Sequence, residues 1–383
     1  MPRRCWFPAL VCTLLGLSWQ LSTVHFNYAD HATALFCTGS ANPPPPGLAF
    51  ERIYLFPHSN GYDGQAYHYM AHDPLYRNGI GRAVDAPTVR YRRILIPALA
   101  WLLALGRPDW IDFAYFACNL AFLFLGAWWL ACLMARTGIG IWFSLLYLAV
   151  PSTLISLDRM TVDLALTSLA VGFAVYAGSN SRGKLYLVLA LAALCRDTGA
   201  FLAVACVVPL LFHRRFREAA VCSSALIPAA IWNVFVSWHI PSNLAVPNGK
   251  LVPFLGWLGP WLHPAAYNLS AALATAVRAL DWLQLAGLLL AFLLGLSAWR
   301  EARNSPIQAA CLLWSAMGIL LPPFWQEDAY FSRLFSPLLV LLAAESLRER
   351  TLLPRLPLAM VAPRICVQLT PQALGVLRGL LGG

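Results

Sequence analysis

Charge is what this sequence has least of. Only 11% of its 383 residues are Asp, Glu, Lys or Arg, against 59% hydrophobic. A soluble domain carries about 25% charged residues, so a soluble fold is excluded and an integral membrane protein is expected. Metal-binding cysteine patterns are absent too. The ten cysteines are scattered, mostly in apolar runs (Cys5, Cys12, Cys118, Cys132, Cys195, Cys206), with no CxxC and no Cys/His spacing. That argues against a structural zinc site and a disulfide framework, and the thiols read as small buried hydrophobes. No internal repeat of the kind that marks secondary transporters is visible. The net charge of +10 does not imply nucleic acid, because the basic residues collect at the ends of apolar runs.

What is present is a succession of apolar runs after one long polar segment. In the segment 1–24, Met1-Pro-Arg-Arg4 precedes an apolar stretch at 5–24, and no Ala-x-Ala-like cleavage site follows it. This is the pattern of an uncleaved signal-anchor helix with a cytoplasmic N-terminus. Residues 25–110 then form a long extracytoplasmic loop, with Pro43–Pro46 as a rigid spacer. Its last apolar run, 94–105, falls short of the about twenty residues that a span requires. It is expected to lie on the outer surface as a juxtamembrane helix. The basic clusters at Arg136, Arg182/Lys184, Arg214–Arg217, Arg300/Arg303 and Arg348/Arg350 all become cytoplasmic only if that run does not cross. Spans are then expected at 5–24, 111–135, 138–156, 160–178, 184–196, 198–212, 217–238, 280–299, 306–324 and 328–346. The fold class is an all-α polytopic membrane bundle of about ten helices, its body at 111–346. An outer loop at 239–279 holds Lys250, Arg278 and the interfacial Trp257 and Trp261, and residues 347–383 form a cytoplasmic tail.

The chemistry-bearing stretch is His58-Ser-Asn-Gly-Tyr-Asp-Gly-Gln-Ala-Tyr-His-Tyr-Met-Ala-His-Asp-Pro74. Asp63 stands between Gly61 and Gly64, so it is expected to project from a turn, with Tyr62 and Gln65 beside it. Tyr67, Tyr69 and Met70 follow at a spacing that suits a short amphipathic helix. The plain alternative is an exposed aspartate in an Asx-type turn. A second patch, Asp85-Ala-Pro-Thr-Val-Arg-Tyr-Arg-Arg-Ile94, sets Arg90, Arg92 and Arg93 before an apolar run. Guanidinium forks match phosphate oxygens, although such arginines also serve as headgroup anchors. His68 and His72 stand at i, i+4 with Asp73 adjacent, a spacing compatible with a divalent metal. The reading adopted is a free helical pair, with no metal and no cofactor.

With this topology, polar residues at membrane boundaries gather on the outer face: Asp158, Arg159, Asp163, Arg196, Asp197, Glu327, Asp328 and Arg333. Ionisable groups there are costly and are usually functional or mutually paired. Arg159 and Asp163 are spaced to pair along a helix, and Arg333 is placed to meet a lipid phosphate.

The runs Tyr62-Asp-Gly-Gln-Ala-Tyr67, Ala71-His-Asp-Pro74 and Tyr91-Arg-Arg-Ile-Leu-Ile-Pro97 resemble bacterial polytopic proteins of cell-surface glycopolymer formation, similar to the GT-C superfamily of membrane glycosyltransferases. Asp158-Arg-Met-Thr-Val-Asp-Leu164 and Arg333-Leu-Phe-Ser-Pro-Leu338 fit the same pattern. The resemblance implies an inverting enzyme of the bacterial inner membrane with its active site on the periplasmic face. It would move a sugar from a polyprenyl-phosphate donor to a glycan or lipid acceptor, with Asp63 as general base. Tyr62, Gln65, Tyr67, Arg90, Arg92, Arg93, Asp158, Arg159, Arg196 and Arg333 would bind substrate. Many GT-C enzymes carry two acids in this loop, and this sequence shows no clean second one. A flippase for lipid-linked sugars, or a non-catalytic subunit of a glycopolymer assembly complex, would use the same arginines without a base.

Overall fold

The computed structural model describes residues 4–179, 181–241, 252–320 and 329–382. Lys250, Glu327 and Asp328, named above, lie outside them. Among the described residues the chain is nearly all helix. A single parallel bridge pairs Thr38–Gly39 with Leu55–Phe56.

Helix α1 is Trp6–Tyr28. The first loop folds into α2 (Asp63–His72), α3 (Pro87–Tyr91) and α4 (Leu95–Leu103). There follow α5 (Pro108–Thr137), α6 (Pro151–Arg159), α7 (Asp163–Ala177), α8 (Arg182–Cys195), α9 (Ala200–Phe212), α10 (Phe216–Ser224) and α11 (Ile227–His239). The C-terminal part holds α12 (Leu255–Leu262), α13 (Ala271–Ser297), α14 (Pro306–Leu320), α15 (Ser336–Glu349), α16 (Leu356–Gln368) and α17 (Thr370–Leu380).

The expectation of about ten spans is corrected by length. Among the described residues, only α1, α5 and α13 are long and apolar enough to cross a membrane, or up to five spans if each of two bent pairs counts as one. The cause is local. The 138–156 run is a 3₁₀ segment, Ile141–Ala149, bent by 59° from α6 at Pro151, and the 217–238 run bends by 42° between α10 and α11. Helices such as α7 and α14, at 15 residues, reach about 22 Å, short of the about 30 Å hydrocarbon core. Helix α4 has nine residues, about 14 Å, so it cannot span. Many outward side chains are nonetheless large and apolar, including Leu14, Leu21, Phe113, Trp238, Leu262 and Leu293, which suits a lipid-facing surface.

Two boundaries move. Helix α13 begins at Ala271, so Arg278 and the end of the expected outer loop belong to a helix. Residues 347–383 are no free tail. Helix α16 packs along α13, and α17 packs against α1. Asn27 Nδ2 donates to the Gln372 carbonyl at 3.0 Å, at the end of α1 from which the first loop emerges.

Helices α5 and α7 pack together at the bundle centre, with α1 on α5 and α14 against both α9 and α13. The first loop sits on one end of this bundle, where α2 contacts α4 and α5. Because α4 is too short to cross, the segments before and after it should share one side. Asp85 and Asp109 are both exposed. Cysteines placed there, in a chain lacking native cysteines, should both react with an impermeant maleimide in intact cells. Labelling at 85 but not at 109 would make 95–103 part of a crossing.

Candidate functional site

Asp63 is the first residue of α2, which corrects the expectation that it projects from a turn. Tyr62, in extended conformation, precedes it, and a carboxylate in a first helical turn is favoured by the free N–H groups there. The flanking glycines have separate causes. Gly61 has a left-handed backbone (φ +82°), and a Cβ at Gly64 would collide with the carbonyl oxygens of Arg159 and Phe36. From Gly64 to His72 every residue of α2 is buried, so the helix is enclosed on all sides and the expected amphipathic face does not exist.

The Asp63 carboxylate is held by two arginines from distant parts of the chain. Arg90 Nη1 lies 2.6 Å from Oδ1, and the Arg333 guanidinium pairs with Oδ2. Arg333 also stacks over Tyr62 at 4.8 Å and reaches Asp163 Oδ2 with Nε at 3.4 Å. Asp163 starts α7, just as Asp63 starts α2, and its other oxygen is taken by Arg196. Arg90 also grips the exposed Asp85 through Nη2 at 2.9 Å, and Arg93 Nη1 donates to the Tyr67 hydroxyl at 3.1 Å. Burial alone would raise the Asp63 carboxyl. The charges of Arg333, Arg90 and Arg93 outweigh it and hold the group well below the usual carboxylate range.

A cleft of about 350 Å³ opens beside this carboxylate, walled by Asn42, Asn60, Tyr62, Asp63, Gln65 and Arg90 among others. Gln65 is spent on structure. Its Oε1 accepts from Gly39 N at 3.0 Å and its Nε2 donates to the Asn42 carbonyl at 3.3 Å. Among the described residues, four guanidinium groups (Arg90, Arg93, Arg196, Arg333) thus face three carboxylates (Asp63, Asp85, Asp163). Arg333 Nη1 and Arg93 Nε are buried and have no hydrogen-bond partner. The site carries surplus positive charge and orphaned donors, which fits an anion better than a neutral ligand.

The other expected binding residues lie elsewhere. Asp158 and Arg159 pair with each other, Nε to Oδ2 at 3.0 Å, and Arg159 Nη1 reaches the Cys37 sulfur at 2.7 Å. Gln372 Nε2 donates to Asp158 at 3.3 Å. The expected Arg159–Asp163 pair fails because the helix breaks between them. Met160 is left-handed (φ 47°), and its carbonyl accepts from the Tyr115 hydroxyl at 2.9 Å. Arg196 pairs with Asp163 and not with its neighbour Asp197. Arg92 is half-buried, and its Nε has no hydrogen-bond partner. Asp73 anchors the following turn, accepting from the backbone of Arg77, Asn78 and Gly81.

His68 and His72 are not the free pair expected. His68 Nε2 lies 3.1 Å from Glu51 Oε2 and 3.0 Å from Asp112 Oδ1, and His72 Nε2 lies 3.0 Å from Glu51 Oε1. Burial alone would lower His68, but Asp112 and Glu51 outweigh it and push the imidazole up to about 9. Glu51 and Asp112 carried no sequence signal, because their partners are 17 and 44 residues from His68 in the chain (68 − 51 and 112 − 68).

Comparison with protein-family models, curated proteins and solved structures finds no match to this chain.

The Arg333 bridge yields a stability test. Arg333→Ala leaves two buried carboxylates with one arginine each, Asp63 with Arg90 and Asp163 with Arg196, which should cost about 1–3 kcal/mol. Adding Asp63→Asn should recover part of the loss, giving a coupling above about 0.5 kcal/mol in a thermal-melt double-mutant cycle. Because the folded Asp63 carboxyl lies below its ordinary 3.8, its contribution is complete above that pH. It is lost only as pH falls toward the folded value. Additive effects would mean that the pair contributes nothing.

Proposed function

We propose that this chain is a GT-C-type inverting glycosyltransferase that takes its sugar from a polyprenyl-phosphate donor at the outer membrane face. The observation that carries the reading is the buried carboxylate of Asp63, which shares its cleft with Asp85 and Arg90 and is embedded in surplus buried guanidinium groups with unused donors. The acceptor hydroxyl oxygen attacks the anomeric carbon, the bond from that carbon to the phosphate oxygen breaks, and phosphate leaves as an anion. That leaving group requires no general acid. Arginines stabilise its growing charge, and Asp63 takes the acceptor proton. In the resting arrangement Asp63 is a poor base, since Arg90 and Arg333 both hold it. A donor phosphate competing for those guanidiniums would raise its basicity at the moment of use. The arginine-locked carboxylate also suits a lipid-linked-sugar flippase, in which Asp63 only presets the arginines for phosphate.

The experiment separates the two. Membranes with matched amounts of each variant are supplied with lipid-linked donor extracted from a deletion strain, and sugar transfer is measured. Asp63→Asn should lower turnover by about 10²–10⁴-fold, while Asp109→Asn, exposed at the start of α5, should not. Near-normal transfer by Asp63→Asn would remove the base and favour the flippase.

Arg93→Ala should impair donor use more than Arg93→Lys, which keeps the charge but loses the fork. Full activity in both would reduce Arg93 to a support for Tyr67.

A further inference from the structure

The cluster at the far end of α2 points to a second site, independent of the transfer reaction. His68 and His72 present Nε2 atoms one turn apart on α2. Glu51 comes from the loop before it, and Asp112 from the second turn of the long helix α5. One ligand atom from each of the four lies within 4.8 Å of every other. His68 Nε2 lies 3.1 Å from Glu51 Oε2 and 3.0 Å from Asp112 Oδ1, and His72 Nε2 lies 3.0 Å from Glu51 Oε1 and 3.5 Å from Asp112 Oδ1. A tetrahedral ion with bonds of about 2.0–2.2 Å sets its ligand atoms about 3.4 Å apart, and the nitrogen–oxygen separations of 3.0–3.5 Å span that value.

Although close, His68 Nε2, His72 Nε2, Glu51 Oε2 and Asp112 Oδ1 are buried without a hydrogen bond of acceptable geometry. The two imidazoles are at least 95% buried (His68 0% and His72 5% exposed). His68 is fixed in orientation by stacking on Phe36, with ring centroids 4.2 Å apart and planes 9° apart. Ionisable groups crowded together at such burial are costly to desolvate, and one divalent cation would neutralise both carboxylates and take a lone pair from each imidazole.

We propose that Glu51, His68, His72 and Asp112 form a closed, four-ligand site for a divalent transition-metal ion of the zinc class. Two imidazoles with two carboxylates suit such an ion, and the four protein ligands fill a tetrahedron, as in structural sites. Its role is positioning. It clamps the loop and α2 onto α5, which fixes the axial rotation of α2 and hence the direction of Asp63, five residues before His68. The residues are separate from the Asp63–arginine cluster, so the site stands or falls independently of the transferase reading.

The test uses the full chain, purified in detergent with a tag free of histidine and without chelators. Elemental analysis should find about one zinc-class ion per chain. Stripping with EDTA should lower the melting midpoint by roughly 5 °C or more, and added ZnCl2 should restore it. His68→Gln/His72→Gln, read by zinc titration of membrane-inserted protein, should bind Zn2+ at least about 100-fold more weakly. Glu51→Gln, a milder change, should weaken it in the same direction without loss of insertion. Wild-type protein that holds no ion and shows no midpoint change with ZnCl2 would overturn the assignment and leave a charge-paired cluster. Unchanged Zn2+ affinity in the double-histidine variant would overturn it too.

Discussion

The arrangement at the end of the bundle that carries the first loop depends on one guanidinium. Arg333 touches the carboxylates that open α2 and α7, so a residue near the C-terminal third joins the first loop to the bundle centre. Each carboxylate sits at a helix N-terminus, where it is favoured, and neither is left alone, because Arg90 and Arg196 complete the set. Removing charges this buried from water costs several kcal/mol per ion. The cluster persists because each group has an opposite partner, and the leftover is cationic. That leftover gives the site its chemical character.

Around that cluster, the loop fold follows from close approach. The carbonyls of Phe36 and Arg159 reach the backbone at Gly64, where a side chain would collide with both. Gln65 holds the strand at Gly39, and Asp73 ties the turn that leads to α3. With its N-terminus pinned by arginines and its C-terminal half gripped by Glu51 and Asp112, α2 has little freedom to roll. A base or binding group carried on such a helix is preorganised, which is what charge stabilisation in a transition state requires.

The sequence by itself determined the class and the general location of the chemistry. Scarce charge and long apolar runs specify membrane helices, because uncompensated ionisable groups are excluded from the hydrocarbon core. The glycine-flanked Asp63 and the Arg90–Arg93 patch were legible because they are dense local exceptions in an apolar chain. Span count was less legible. Hydropathy reports apolar length and cannot see the bend before Pro151 or the left-handed Met160, which cut apolar runs into short helices.

Tertiary structure alone decided which charges meet. Arg159 and Asp163 have helical spacing, yet the break at Met160 turns one toward Asp158 and Cys37 and the other toward Arg196 and Arg333. The partners of Asp63 and of His68 lie far off in sequence, and ion pairing depends on distance in space, which local patterns do not encode. The same holds for the last helices, which read as a tail until their packing set Arg364 beside Asp281 and Gln372 beside Asp158. Local composition chose the elements and the solvent; long-range packing chose the partners, because only the folded chain brings residues hundreds of positions apart within hydrogen-bonding reach.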